Sequence, residues 1–452
     1  MKHFELTKPF FKKTIVLMLP IILQQMITIG INFLDNLMVG GFGETQIAAA
    51  AFGNQFYSLF QFICMGLGSG AIVMSSQFWG RGEREAMRTV AAIDLSVSIV
   101  FCVLFTAFSV AFPDLIVRIF TPDAEVIKVG SGYMRIIGMT FIMAGLSSTA
   151  TYLLRSVGNV KIPLIGSAIA FVLNLFFNWM FIFGKLGAPR MEIVGAAVGT
   201  LIARAFEFLF VFGFFVFRDD RFAFRLRHFL QRSEALWKQY VKYSVPVLIS
   251  DTLLGLSLTV TFGIVGHMGA EFSAACSIVN SAVQVTYSLN MAMGGASAIA
   301  IGNTIGTGDI AKTKREGNSY MLISLVFGAL LIPILLLLEK PYLSFYDVSS
   351  ETLALCHGMF LVNCFFMPLQ TNAYVSSKGI LRGGGDTRFI LMADSALLWF
   401  LSLPLGALGG LVLGWNSVWV YFVLRMEFPL KGLICMYRYF SWKWIKEIKA
   451  EA

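Results

Sequence analysis

Twelve apolar runs constrain this chain more than any other feature, because each can cross the roughly 30 Å hydrocarbon core of a bilayer. They lie near 14–39, 46–77, 91–113, 130–153, 162–184, 194–217, 241–267, 273–305, 318–338, 353–378, 388–411 and 413–437. Backbone inside lipid must satisfy its own polar groups, so the runs read as helices and the chain as an all-α polytopic membrane protein. Composition agrees: 57% of the 452 residues are hydrophobic and 13% charged, against about 25% charged in soluble domains. The longest runs imply tilted or broken helices. The first run is too long for a signal-peptide core and lacks a small-residue cleavage site, so it reads as the first span.

An even number of spans puts both termini on one side. Segments on that side carry 26 Lys and Arg, and the opposite loops carry 5. The positive-inside rule then predicts a multi-pass protein of the cytoplasmic membrane with both termini in the cytoplasm. The net charge of +9 is densest in 218–242, a linker that faces membrane lipids and requires no nucleic-acid partner. The six Cys are scattered and the four His isolated, which points away from a disulfide frame or a metal site. No GxxxxGK[ST] motif suggests an ATP-driven pump. No His, Cys or paired carboxylates converge at reaction spacing, so the chain reads as no enzyme.

The second half repeats the first at an offset of 226. Pro20 falls on Pro246, and "MVGGFGETQIAAAAFGN" on "IVGHMGAEFSAACSIVN" without a gap. "WGRGE" meets "IGTGD" through both glycines, and "LLRSVGNVK" meets "ILRGGGDTR" at offset 227. Matches of Gly and Pro carry weight because those residues encode backbone geometry. The reading is two parallel six-helix repeats: an N-lobe at 1–217, a basic linker at 218–240, and a C-lobe with its tail at 241–452. The paired glycine turns end spans two and eight. Pro20 and Pro246 are candidate helix-bending positions. Transporters use such repeats for alternating access.

Among the acids that fall within the runs are Asp35, Glu207, Asp251, Asp394 and Glu427. A charge at the centre of a spanning helix costs about 2.5–3.5 kcal/mol on insertion scales, so each needs a partner or a purpose. Glu207 follows Arg204 by one helical turn and Glu427 follows Arg425 by two residues, a spacing that does not face directly; both lie near cytoplasmic helix ends, where pairing or snorkelling is cheap, which favours structural roles. Asp394 stands evenly between structure and function. Asp35 and Asp251 have no basic neighbour in sequence. Their repeat counterparts are Thr261 and Gln25, so neither charge belongs to the shared scaffold. On span five, Asn174 and Asn178 are four apart and share a helix face, and span six offers Thr200 among small residues. One carboxylate with neutral oxygens could hold Na⁺, or the carboxylate could carry a proton.

The order of "LPIILQQ", "FLDNLMVGGFG", "IAAAAFGNQ", "WGRGE", "LLRSVGN", "NLFFNWMFIFG", "GAAVGT", "VPVLISD" and "ILRGGGDTR" resembles the MATE (multidrug and toxic compound extrusion) family of the MOP flippase superfamily, over nearly the whole chain. The resemblance implies a V-shaped pair of lobes and an antiporter that exchanges Na⁺ or H⁺ for amphipathic, often cationic, organic compounds. It implies no cofactor beyond the coupling ion, no metal beyond Na⁺ at Asp35, and a monomer whose partners are small substrates and lipids. Asp35 matches the family's coupling aspartate, and Asn174 and Thr200 match its polar companions. Asn178 stands where some branches carry a second aspartate, which leaves the ion undecided. Asp251, Gln25, Asn32 and Thr371 are candidates for the substrate cavity or a secondary coupling site. Lys378 is read as snorkelling to the cytoplasm or as disfavouring cationic cargo. The alternative function is a flippase for a lipid-linked saccharide or another lipid-like substrate.

Overall fold

The computed structural model describes residues 3–231 and 233–450. Lys2 and Arg232, both counted among the cytoplasmic charges, lie outside the described residues. The chain is helical, with no strand among the described residues. Its long helices are α1 (Lys8–Val39), α2 (Glu44–Arg81), α3 (Arg84–Ala111), α4 (Ala124–Ser156), α5 (Lys161–Phe183) and α6 (Glu192–Phe217). The second half follows with α7 (Glu234–His267), α8 (Ala270–Gly306), α9 (Ile310–Leu343), α10 (Ser350–Leu381) and α11 (Thr387–Val412). The last, α12, runs as Ser417–Arg425 and Glu427–Phe440 with a break at Met426. All but α8 and α12 are long and apolar enough to cross a membrane by composition alone. In α8 the many Gly, Ser and Asn lower the hydropathy, whereas α12 is broken at Met426 into pieces of 9 and 14 residues.

The repeat is visible in the element starts. Lys8 and Glu234, Glu44 and Ala270, Arg84 and Ile310, Ala124 and Ser350, and Lys161 and Thr387 each open corresponding helices 226 residues apart. The turns repeat as well. Gly43 and Gly269 have φ of 100° and 119°, Gly82 and Gly308 79° and 78°, and Gly158 and Gly385 74° and 83°. A side chain is strained there, so Gly82 of "GRGE" and Gly308 of "GTGD" are turn residues placed just past the ends of α2 and α8. Pro20 and Pro246 both lie inside continuous helices. Each removes one backbone donor, which the helix tolerates at the cost of a missing bond.

The halves diverge in helix regularity. The second half carries π-helical segments at Val375–Leu381, Leu398–Ser402 and Leu408–Val412, whereas the corresponding α5 and the end of α4 are regular. Such segments often accompany functional sites.

Two compact units make up the chain. One comprises Leu19–Ser75 and Glu83–Lys242; the other comprises Tyr243–Lys449 with residues up to Met18 and Ser76–Gly82. In the second unit, the end of α2 is fastened by hydrogen bonds. Gln77 donates to the Gly383 carbonyl at 3.1 Å and accepts from the Ile448 amide at 3.0 Å. The approach to α8 is backbone on backbone: a methyl on Gly80 would collide with the Asn303 carbonyl, and one on Gly306 with the Gln77 carbonyl. Small residues at membrane helix contacts allow this closeness. Gly80→Ala and Gly306→Ala are each expected to destabilise the protein by about 1–3 kcal/mol, the usual cost of overpacking. A lowered thermal midpoint in detergent would show it.

Candidate functional site

In the first unit three helices bring polar side chains together. Asp35 comes from the last turns of α1, Asn174 and Asn178 from one face of α5, and Thr200 from α6. The Asn178 amide donates to Asp35 Oδ1 at 2.5 Å and to Asn174 Oδ1 at 3.3 Å. Asn174 donates onward to Thr200 Oγ1 at 3.2 Å. Both asparagines are buried, and Asp35 is half-buried. The four residues therefore form one hydrogen-bonded chain ending on a single carboxylate. Among the described residues, Asn178 Oδ1 has no hydrogen-bond partner. This buried oxygen beside a carboxylate is an acceptor in want of a cation or a donor. The residue set fits a small monovalent cation or a proton.

The sequence around Gly199 explains how the chain closes. A methyl on Gly199 would strike Asn178 Oδ1, and one on Gly195 would lie 2.6 Å from the Phe181 carbonyl carbon. The glycines of "GAAVGT" let α6 meet α5 at the level of the asparagines. Gly199→Ala is expected to displace the Asn178 amide and to cost about 1–3 kcal/mol by overpacking, with every polar residue of the site intact. A lowered thermal midpoint in detergent would check this.

Of the other residues singled out, Asn32 is exposed and Gln25 half-buried, and neither enters this chain of hydrogen bonds. Its neighbour Gln24 is engaged instead. Gln24 donates to Ser167 Oγ at 2.9 Å and accepts from Arg155 at 2.5 Å. Ser167 donates to Glu207 Oε1 at 2.8 Å, and Glu207 pairs with Arg204 at 2.6 Å as its spacing suggests. Asp94 is a further buried acid, on α3, and accepts from Tyr240 Oη at 2.6 Å. "AAIDLSVS" within the third run carried that signal.

In the second unit, Asp251 is fully buried and paired. Lys378 reaches its Oδ1 at 2.7 Å, and Arg382 grips both oxygens at 2.8 and 3.0 Å. Lys378 does not snorkel: it is 6% exposed. Asp394 accepts from Lys378 at 3.0 Å and Ser250 at 2.6 Å and pairs with Lys431 at 3.2 Å. Thr371 hydrogen-bonds Asn290 at 3.0 Å. Arg425 turns to Asn280 at 2.7 Å and Tyr421 at 3.2 Å. Glu427 lines a water-sized cavity with Asp394, Trp399 and Lys431.

Two six-helix halves repeated in the same register, with buried polar groups in both, are the architecture of a transporter built on internal repeats. The MatE family model matches residues 20–180 and 246–408, the same register that separates the repeats. The chain is a member of the MATE transporter family. A probable multidrug resistance protein NorM from Geobacillus kaustophilus is 25% identical over 409 residues, covering 88% of this chain and 87% of its own. A crystal structure of the Vibrio cholerae MATE transporter VcmN superposes with a TM-score of 0.86 at 16% identity, covering 96% and 97%. A MATE structure in a bent conformation matches with a TM-score of 0.85 at 17% identity, covering 96% of each chain.

Proposed function

We propose that the protein is a multidrug efflux antiporter of the cytoplasmic membrane, with both termini inside, and that Asp35 carries the coupling ion. The observation that carries the reading is the hydrogen-bonded chain from Asp35 through Asn178 and Asn174 to Thr200. Relatives named for multidrug resistance support the cargo class: small amphipathic organic compounds. An Na⁺ ion or a proton from outside neutralises Asp35. The neutral and charged forms then favour different packings of α1, whose interior Pro20 leaves one carbonyl without its helical partner. Exchange requires that ion and drug each prefer one of two conformations.

The test is efflux of a fluorescent organic cation from proteoliposomes, first under an imposed Na⁺ gradient and then under an imposed pH gradient. Acceleration by one gradient is the expected result and names the ion. Efflux indifferent to both gradients would refute coupling. Translocation of labelled lipid in place of dye would favour the flippase alternative.

A further inference from the structure

We propose that the ammonium of Lys378 is a tethered counter-ion filling a monovalent-cation site in the C-terminal half, so that this half exchanges no ion during transport. The proposal goes beyond the function above and rests on it only in treating Asp35 as the exchangeable site.

The geometry at Lys378 is that of a coordinated ion. Its three N–H donors meet three oxygens from two helices: Asp251 Oδ1 at 2.7 Å, Asp394 Oδ2 at 3.0 Å and Ser250 Oγ at 3.2 Å. Ser250 turns its own hydrogen to Asp394 Oδ2 at 2.6 Å, which leaves its lone pairs for the ammonium. Two carboxylates and a hydroxyl from α7 and α11 are the oxygen set a small cation takes from a protein. Here the cation is delivered by α10.

The backbone holds it there. Lys378 sits inside the π-helical segment Val375–Leu381, and α8 packs directly against that segment. Ser297 Oγ occupies the place of a methyl on Gly379, and a methyl on Gly383 would lie 2.6 Å from the Ala298 carbonyl oxygen. Lys378 Cβ itself lies beside Gly294 of α8, and the residue is buried.

The charge count leaves no opening for a second cation. Asp251, Asp394 and Glu427 face Lys378, Arg382 and Lys431, with Arg425 on the adjoining face of α12. Three carboxylates against four cations disfavour entry of a metal ion. Removing Lys378 alone makes the cluster even and leaves three oxygens around an ammonium-sized space.

Thermal unfolding in detergent tests this with Lys378→Ala and Lys378→Met, each in choline, sodium, potassium, ammonium or methylammonium chloride at equal ionic strength. Lys378→Ala is expected to melt below the wild type in choline and to recover, saturably, in ammonium, methylammonium or potassium. Lys378→Met keeps the space filled and is expected to show no such recovery. A Lys378→Ala midpoint indifferent to the cation would overturn the proposal. A second measurement stands even if Lys378→Ala does not fold. The Asp35→Asn protein, with Lys378 in place, is expected to show no saturable cation-specific stabilisation. Such stabilisation there would place an exchangeable ion elsewhere and refute the tethered one, whatever transport assays say of Asp35.

Discussion

Asp35→Asn is expected to bring gradient-driven efflux down to that of empty vesicles while the protein still folds and reaches the membrane. Asparagine has the same shape, and its amide oxygen can still accept from Asn178, whose Nδ2 lies 2.5 Å from Asp35 Oδ1. What disappears is the charge, the only property of Asp35 that a cation or proton can neutralise. Folding survives because removing a half-buried charge also removes its desolvation cost. The thermal midpoint is therefore expected at or above that of the wild type, and this combination separates coupling from scaffolding. Wild-type efflux by a well-expressed Asp35→Asn protein would dismiss Asp35 as the coupling residue. A severely destabilised one would show that the carboxylate is a structural anchor.

The opposite pattern is expected at Asp251. Its carboxylate receives Lys378 at 2.7 Å and Arg382 at 2.8 and 3.0 Å in a fully buried setting. Asp251→Ala leaves two cations facing each other without their shared anion. Breaking a buried pair by removing one partner costs about 3–5 kcal/mol, a large part of the 5–15 kcal/mol that holds a typical protein folded. The variant is expected to express poorly and to melt well below the wild type. The double variant Asp251→Ala with Lys378→Met should recover part of the loss, because one orphaned cation goes with its partner. An Asp251→Ala protein with an unchanged midpoint would mean that the network contributes nothing to stability.

These contrasting expectations arise from residues that look alike in sequence. Asp35 and Asp251 are both lone acids in apolar runs, each opposite a neutral residue in the other repeat. The grouping around Asp35 was legible in part: Asn174 and Asn178 share a face by their spacing and Thr200 stands among small residues, while their association with Asp35 was implied by the family resemblance. The partners of Asp251 could not. Lys378 and Arg382 are 127 and 131 residues away, beyond any local rule.

The same limit decided between Gln24 and Gln25. Adjacent residues differ by a quarter turn or more of helix, and only the packed neighbours say which one faces inward. In a soluble helix a polar stripe would settle that phase. A helix in lipid is apolar all round, so its sequence hides its orientation.

By itself, then, the sequence determined the number of helices, their repeat register, and the turns where Gly43, Gly82, Gly158 and their counterparts take left-handed backbone. Those depend on hydropathy and backbone sterics, which act over a few residues. Only the tertiary structure decided which buried charges are compensated and which carboxylate keeps an unpartnered oxygen beside it. Pairing in a low-dielectric interior depends on distances of about 3 Å between helices far apart in the chain.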